Sequence, residues 1–185
     1  KNVVTENNTA KTTIDSKTST TNQVTTTVEG PKKTVSDADE TNVTNNTVRS
    51  LADDWTYSIT EKVAKGADEK YTSFVFKDPI EECMKINSVK VKADNGKDVS
   101  DWFNISTDCN NVVATLKDPS GNADFYNNSA YTMEINVKMD VPENVTEDQL
   151  KSLKEKWENH GHYNEKKTVI HEENEAFVEI NGKNT

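Results

Sequence analysis

The stretch Phe74-Val75-Phe76-Lys77-Asp78 decides the fold class of this 185-residue chain. Successive side chains of a β-strand point to opposite faces, so Phe74 and Phe76 would lie on one face and Lys77 on the other. Comparable strand signals recur between clusters of turn-forming residues, around residues 31–35, 55–60, 71–77, 86–92, 102–107, 111–117, 131–139 and 168–180. Many short strands separated by turns predict an all-β fold, either a β-sandwich or a β-barrel.

One short helix is predicted to interrupt the strands, at about residues 147–158. Thr146 can accept a hydrogen bond from the first turn, and Gln149 follows three residues later, which is the spacing of a capping box. The apolar side chains that follow at helical spacing are Leu150, Leu153 and Trp157. We expect this stripe to pack against the sandwich, with the charged face of the helix in solvent.

The composition excludes several classes of protein. Hydrophobic residues make up 32% of the chain and charged residues 29%, which favours a thin two-layer fold over a large helical enzyme core. The formal net charge is −10, and the phosphates of a nucleic acid would repel it. No apolar run approaches the ~20 residues that a membrane span needs. We therefore expect no nucleic-acid partner and no membrane insertion by these residues.

An internal repeat relates the two ends of the chain at an offset of 166 residues. Six positions are identical in an ungapped window of about seventeen, where unrelated segments would share roughly one. The identical positions are Val3, Glu6, Asn8, Ala10, Ile14 and Lys17, which match Val169, Glu172, Asn174, Ala176, Ile180 and Lys183. A repeat unit of this length is a domain, so the whole protein is expected to be a tandem array.

The repeat predicts three parts in the chain. Residues 1–19 would be the closing strand of a preceding copy, residues 20–30 a Thr-rich linker, and residues 31–182 a complete domain. Without its partners, the segment 1–19 could be disordered, pair with an edge of the complete domain, or be donated to another molecule. We expect an extended segment that forms no cross-link within this chain.

Strand parity places three polar side chains on inward faces. Lys33 is in line with Val35, Asp78 is in line with the two phenylalanines before it, and Asn174 shares its parity with the apolar residues of the last strand. Buried Lys and Asp side chains are rare unless they are paired. One interpretation is a buried salt bridge between Lys33 and Asp78, with Asn174 hydrogen-bonded nearby.

The other interpretation is a self-catalysed isopeptide bond between Lys33 and Asn174. In an apolar site, desolvation lowers the pKa of a lysine and raises the pKa of an aspartic acid, so both can be neutral. The neutral amine could then attack the carboxamide of Asn174 while protonated Asp78 polarises it and shuttles protons as ammonia leaves. This chemistry needs no cofactor and no metal.

A family resemblance bears on this choice. It is carried by Lys33-Thr34-Val35-Ser36-Asp37-Ala38-Asp39, Trp55-Thr56-Tyr57-Ser58-Ile59, Phe74-Val75-Phe76-Lys77-Asp78-Pro79-Ile80-Glu81 and Asn174-Glu175-Ala176-Phe177-Val178-Glu179-Ile180-Asn181-Gly182. In order and spacing, over residues 31–182, these segments resemble the isopeptide-forming domains of Gram-positive fimbrial and cell-wall-anchored adhesin proteins. They are more distantly similar to the C-terminal stalk domains of streptococcal antigen I/II adhesins.

The resemblance implies an immunoglobulin-like β-sandwich on the cell surface, with Lys33 as the amine, Asn174 as the carboxamide and Asp78 as the acid. It also implies tandem neighbouring domains as partners. Such domains often have proline just before the asparagine, whereas Glu173 stands there in this chain. Lys32 adjoins Lys33, and Glu81 and Glu82 follow Asp78. Each role could therefore belong to a residue close in sequence to the one assigned.

Cysteines, histidines and one acidic turn offer further candidate sites. Cys83 and Cys109 could form a disulfide in an exported protein or remain two separate buried thiols. The three histidines stand at His160, His162 and His171. They lack the fixed spacing of a metal site, and the Asp37-Ala38-Asp39-Glu40 turn lacks the glycine of a Ca²⁺ loop. We expect no metal at either place.

Two other function classes compete with a structural stalk module. A ligand- or carbohydrate-binding adhesin module, with a host surface ligand as its partner, would need exposed aromatic side chains. The candidates are Trp102, Phe103, Phe125 and Tyr126, for which core or rim packing is the favoured explanation. An enzyme that acts on an external substrate is the third class, and no recognisable site remains for it once the three isopeptide residues are assigned.

Overall fold

The computed structural model describes residues 3–14, 17–20, 23–48, 50–161, 163–164, 169–170 and 175–185. The chain divides into two compact units, Lys1–Gly30 and Pro31–Thr185. Each unit is considered by itself.

The first unit consists of paired strands. Their bounds are β1 Val3–Asn8, β2 Lys11–Ile14, β3 Lys17–Thr20 and β4 Val24–Glu29. β1 pairs antiparallel with β4, and β2 pairs antiparallel with β3. The threonines and valines of these segments favour extended backbone because their branched Cβ packs well on a pleated surface.

Pairing within the first unit differs from the sequence-based expectation. Residues 20–30 were expected to be a linker, and Val24–Glu29 is instead a strand that is hydrogen-bonded to Val3–Asn8. Pairing of the segment 1–19 with residues that follow it is a fourth outcome, beside disorder, pairing with an edge of the complete domain and donation to another molecule. Composition predicts extended backbone here but does not identify the strand that will satisfy its hydrogen bonds.

The second unit is an immunoglobulin-like sandwich of two antiparallel sheets, which confirms the predicted fold class. One sheet has the order β15-β14-β7-β10-β9 and the other β5-β6-β11-β8. The strands of the first sheet are β7 Phe74–Pro79, β9 Phe103–Ser106, β10 Asn111–Leu116, β14 Phe177–Ile180 and β15 Lys183–Asn184. Those of the second are β5 Lys32–Ser36, β6 Asp54–Lys62, β8 Met84–Ala93 and β11 Ala130–Met139. A separate two-stranded pair joins β12 Tyr163–Asn164 to β13 Val169–Ile170.

Period-2 patterning builds the core between the two sheets. The inward side chains of β6 are Trp55, Tyr57 and Ile59, all buried. On β7, Phe74 and Phe76 are both fully buried and their rings meet edge to face at 5.1 Å between centroids. Each such side chain removes apolar area from water, which is the main favourable contribution to folding.

The predicted helix is confirmed as α1, Glu147–Asn159. The Thr146 backbone N–H donates to Gln149 Oε1 at 2.9 Å, and the Gln149 N–H donates to Thr146 Oγ1 at 3.2 Å, which completes the capping box. Trp157 is buried, and Leu153 packs against the same core. Among the described residues, no helix is long and apolar enough to cross a membrane.

The end of the chain was expected to be one strand over residues 168–180. The structure has β13 and β14 there, and residues 171–174 between them lie outside the described part of the chain. β14 pairs antiparallel with β7, with Val178 opposite Phe76 and Phe177 opposite Lys77. Val178 is fully buried and Phe177 is 41% exposed, so the predicted parity of the last strand is confirmed for these residues.

Candidate functional site

Lys33 lies on β5, an edge strand of the second sheet. It is opposite Ile59 of β6, and its side chain is 18% exposed. The Nζ atom lies 4.6 Å from the centroid of the Tyr57 ring. An amine held over an aromatic face at this distance gains a cation–π interaction while it is charged. The Lys33 side chain points inward, as the strand parity predicted, and therefore lies in the space between the two sheets.

Asp78 enters the same space from β7 of the opposite sheet. It is opposite Val112 of β10 and is only 1% exposed. Its position in line with Phe74 and Phe76 follows from the alternation of β7, as the sequence predicted. The Lys33 Nζ atom donates a hydrogen bond to Asp78 Oδ2 at 2.6 Å. One contact between two side chains thus joins the two sheets.

Burial dominates the electrostatics of Lys33. Desolvation lowers the pKa of its ammonium group below the usual 10.5, and the charge and hydrogen bond of Asp78 oppose that shift. Removal from water disfavours the charged form of an amine, whereas a neighbouring carboxylate favours it. Because desolvation is the larger effect, the site increases the fraction of lysine that is a neutral amine, which is the nucleophilic form.

Asn174, the third residue of the predicted site, lies outside the described residues. The described residues nearest to it on the same strand parity are Ala176, which packs against the core, and Val178, which is fully buried. The structure therefore brings together two of the three predicted side chains, and the position of the third stays a prediction.

A second buried acid, Glu61, was missed by the sequence analysis. It is 5% exposed, and its Oε2 atom accepts a hydrogen bond from the Thr185 hydroxyl at 2.8 Å. Burial raises the pKa of its carboxyl group, although the hydrogen bond from Thr185 opposes the shift. The parity of β6 could have revealed it, because Glu61 is in line with Ile59.

Comparison with known proteins identifies the family. The sequence profile of the cell surface antigen I/II C2 terminal domain matches residues 31–184. The chain belongs to this family. Membership makes it a domain of a surface adhesin and implies an extracellular location at the cell surface. No curated protein sequence matches the chain.

Two solved structures of antigen I/II C-terminal domains show the same fold, and a pilin is a further similar chain. The C-terminal domain of the antigen I/II-family protein AspA from Streptococcus pyogenes has a TM-score of 0.53 and 14% identity over 98% of this chain. The C-terminal domain of the AgI/II polypeptide BspA from Streptococcus agalactiae has a TM-score of 0.51 and 16% identity over 99%. The major pilin SpaD from Corynebacterium diphtheriae has a TM-score of 0.46 and 25% identity over 63% of this chain and 27% of its own length. The antigen I/II C2 chain spans 52% of the AspA structure and 56% of the BspA structure.

The two cysteines of this antigen I/II C2 chain are not joined by a disulfide in the structure. Cys83 is buried, and Cys109 is exposed in a turn where its φ is +51°. The expectation of two buried thiols therefore holds for Cys83 alone. The left-handed backbone at Cys109 belongs to an irregular turn just before β10, a place that strand patterning does not describe.

The aromatic residues considered for ligand binding are mostly in the core. Phe103, Phe125 and Tyr126 are all buried, and Trp102 is partly buried against the same core. Phe125 stacks on Tyr131 with 4.3 Å between ring centroids. These four residues therefore do not form an exposed aromatic platform, which corrects that candidate role.

The remaining candidate sites do not assemble a metal centre in the described part of the chain. No group of three or more His, Cys, Asp or Glu side chains is placed there to hold an ion. The carboxylate of Asp37 instead accepts hydrogen bonds from the Glu40 N–H at 2.8 Å and from Asn46 Nδ2 at 3.0 Å. His160 lies 3.4 Å from a carboxylate oxygen of Glu82, while His162 and His171 are outside the described residues.

Proposed function

We propose that this domain is a structural stalk module of a Gram-positive surface adhesin or fimbrial protein, and that an isopeptide bond between Lys33 and Asn174 locks its fold. Asp78 is the acid that promotes the bond. The observation that carries the proposal is the contact of 2.6 Å between Lys33 Nζ and Asp78 Oδ2 in the space between the sheets. Family membership and the inward parity of Asn174 support it.

The reaction begins with a proton transfer from the Lys33 ammonium to Asp78. The neutral amine attacks Cγ of Asn174, and the protonated acid donates a hydrogen bond to the carboxamide oxygen, on which negative charge develops. The bond between Cγ and Nδ2 then breaks, and ammonia leaves with the proton that the attacking amine has lost. Asp78 then gives the proton it took from Lys33 to the departing ammonia, which leaves as ammonium. One amide replaces another, no water is consumed, and Asp78 ends as the carboxylate it was at the start.

The bond would restrict the conformations of the unfolded chain and would carry mechanical load. Lys33 lies on the first strand of the sandwich and Asn174 just before β14, so nearly the whole domain would lie inside one covalent loop. By loop-closure entropy, such a cross-link stabilises a fold by on the order of 5 kcal/mol. Tension along a stalk would pass through the bond and bypass the sheets.

The proposal assigns the domain a structural function without turnover. The cross-link forms once in each molecule, so the chain is not an enzyme for an external substrate. Neighbouring domains of the same cell-wall-attached protein are its partners in the stalk. Binding of a host ligand has no support from the aromatic residues, because Phe103, Phe125 and Tyr126 are in the core.

Intact mass of the folded protein tests the proposal. The cross-linked chain should weigh one ammonia, about 17 Da, less than the sequence, and Lys33→Met and Asn174→Ala should each restore the full mass. A salt bridge without a cross-link predicts the full mass in every variant. Lys32→Met is the matched control, because Lys32 is exposed on the same strand and its loss should leave the missing ammonia unchanged.

Peptide mapping must accompany the mass. Asn95-Gly96 and Asn181-Gly182 could each lose ammonia by cyclising onto the following backbone nitrogen, with the same change in mass. A mass deficit that persists in Lys33→Met would come from such a site and would contradict the proposed bond.

A further inference from the structure

The internal repeat extends from the sequence to the pairing of strands. Ile14 is opposite Lys17 in the hairpin of β2 and β3, and Ile180 is opposite Lys183 in the hairpin of β14 and β15. The offset between these pairs is the same 166 residues that align the sequences. Two hairpins with matched sequence therefore also have matched register, although register was not used to find the repeat.

The registers of the two hairpins also agree at the residue pairs farther from the turn. Thr13 is opposite Thr18 in the first hairpin, and the equivalent pair in the second is Glu179 opposite Asn184. Thr12 is opposite Ser19, and the equivalent Thr185 N–H donates to the Val178 carbonyl at 2.9 Å. Because a shift of one residue would exchange the two faces of a strand, a shared register is what equivalent strands of one fold require.

The two hairpins differ in what lies on their outer edge. β14 is hydrogen-bonded to β15 on one side and to β7 on the other. Within the described residues, the sheet that contains β2 has β3 as its only other strand. An edge strand presents a row of backbone N–H and C=O groups that can pair with another strand. Among the described residues, no strand is hydrogen-bonded to the edge of β2 that corresponds to the β7 side of β14, and this edge is called the open edge of β2.

We propose that residues 3–19 are the closing segment of a preceding copy of this domain, and that the open edge of β2 binds that copy's counterpart of Phe74–Pro79. Asn8, which aligns with Asn174, is then the carboxamide that the lysine of that copy cross-links. The partner of the open edge is a second copy of this fold, because the hairpin of β2 and β3 has the same register as the hairpin of β14 and β15, which closes the sandwich of residues 31–185.

The role of Asn8 rests on the proposed function. Asn8 is exposed in the first unit, and no cross-link to it is expected from Lys33, whose own domain contains Asn174. In the preceding copy, a lysine amine would form the new bond to Cγ of Asn8, and ammonia would leave from that carbon. The bonds formed and broken, and the proton transfers, are the same as those described for Lys33 and Asn174.

A graft in the full chain tests whether residues 3–19 can close a sandwich. In the full graft, residues 169–185 are replaced by a copy of residues 3–19. This puts Thr in place of the fully buried Val178, which alone could prevent folding. The core-matched graft therefore keeps Phe177 and Val178, and a scrambled graft carries the residues of the core-matched graft in shuffled order.

Folding and cross-linking are measured separately, by thermal unfolding and by intact mass with peptide mapping. We expect the core-matched graft to unfold cooperatively and to lose one ammonia, and we expect Asn174→Ala in that graft to abolish the loss. The scrambled graft should do neither. The inference would be overturned if the core-matched graft were as unfolded as the scrambled graft while the parent chain is folded under the same conditions.

The same measurements separate this inference from the proposed function. If the parent chain keeps all its ammonia, the cross-link is wrong, and folding of the grafts alone decides whether residues 3–19 are a closing segment. If the parent loses ammonia and the folded core-matched graft does not, the role of Asn8 is overturned while the closing role stands.

Discussion

Lys33 and Asp78 meet at 2.6 Å although they stand on different sheets and 45 residues apart in the chain. Lys33 is on an edge strand, whereas Asp78 is on the central strand of its five-stranded sheet. This contact places a partly desolvated amine against a buried carboxyl group, which is the arrangement that both a salt bridge and an isopeptide reaction require. The two differ in the mass of the folded chain, because only the isopeptide reaction releases ammonia.

Asp78→Ala should fold but fail to form the cross-link. Without the acid, nothing takes the proton of Lys33 or polarises the carboxamide, so the mass should equal that of the unmodified sequence. The buried lysine would also lose its partner, which typically costs about 3–5 kcal/mol. Intact mass and urea unfolding measure the two effects.

The matched control for this variant is Glu82→Ala, which removes an exposed carboxylate close in sequence to Asp78. It should lose ammonia as the parent does. Normal cross-linking in Asp78→Ala would show that the acid is elsewhere, and Glu81 and Glu82 would be the next candidates.

Lys33→Met should lower the stability of the domain by on the order of 5 kcal/mol, because the covalent loop no longer restricts the unfolded chain. Met preserves the length of the side chain and needs no charge partner. Asn174→Ala should have a similar effect, and the double variant should be little worse than either single one, since all three lack the same bond. Chemical unfolding at neutral pH measures the changes, and fully additive losses would count against a shared bond.

Glu61→Gln should stabilise the domain at neutral pH. Burial raises the pKa of the Glu61 carboxyl in the folded state, so ionisation costs stability as the pH rises from the unfolded value of about 4.3 through the raised folded value. Glutamine has no charge to desolvate and still offers an oxygen to the Thr185 hydroxyl.

Thermal midpoints between pH 4 and pH 8 measure this effect, with exposed Glu155→Gln as the control. The gain from Glu61→Gln should grow with pH and vanish at the acidic end. A gain that is constant over the whole range would mean that the pKa of Glu61 is not responsible.

Cys109 should react with a thiol reagent in the folded protein, whereas Cys83 should react only after unfolding. Cys109 is exposed and Cys83 is buried in the core, and access of the reagent governs the rate. Labelling followed by mass spectrometry counts the modified thiols in each state. Absence of any labelling, in both the native and the denatured unreduced chain, would show that the two cysteines form a disulfide in solution.

The sequence by itself determined where the sandwich strands β5 to β11 lie and which side of β7 faces inward. Phe74, Phe76 and Asp78 lie on one buried face because strand side chains alternate, whatever the rest of the fold. The helix α1 begins after Thr146 because its capping box is complete within four residues. These features depend on local backbone geometry, so local patterns were sufficient.

Only the tertiary structure decided which inward faces meet. Parity turns Lys33 and Asp78 inward, but their contact depends on how the two sheets pack, and packing is set by all the side chains between them. The pairing of Val24–Glu29 with Val3–Asn8 was missed for the same reason. Core packing was expected for Phe125, but the fold decided that its ring stacks on Tyr131. The pattern along one segment shows that its apolar side chains must be buried and that its backbone N–H and C=O groups must be hydrogen-bonded. Which residues contact them depends on the fold of the whole unit.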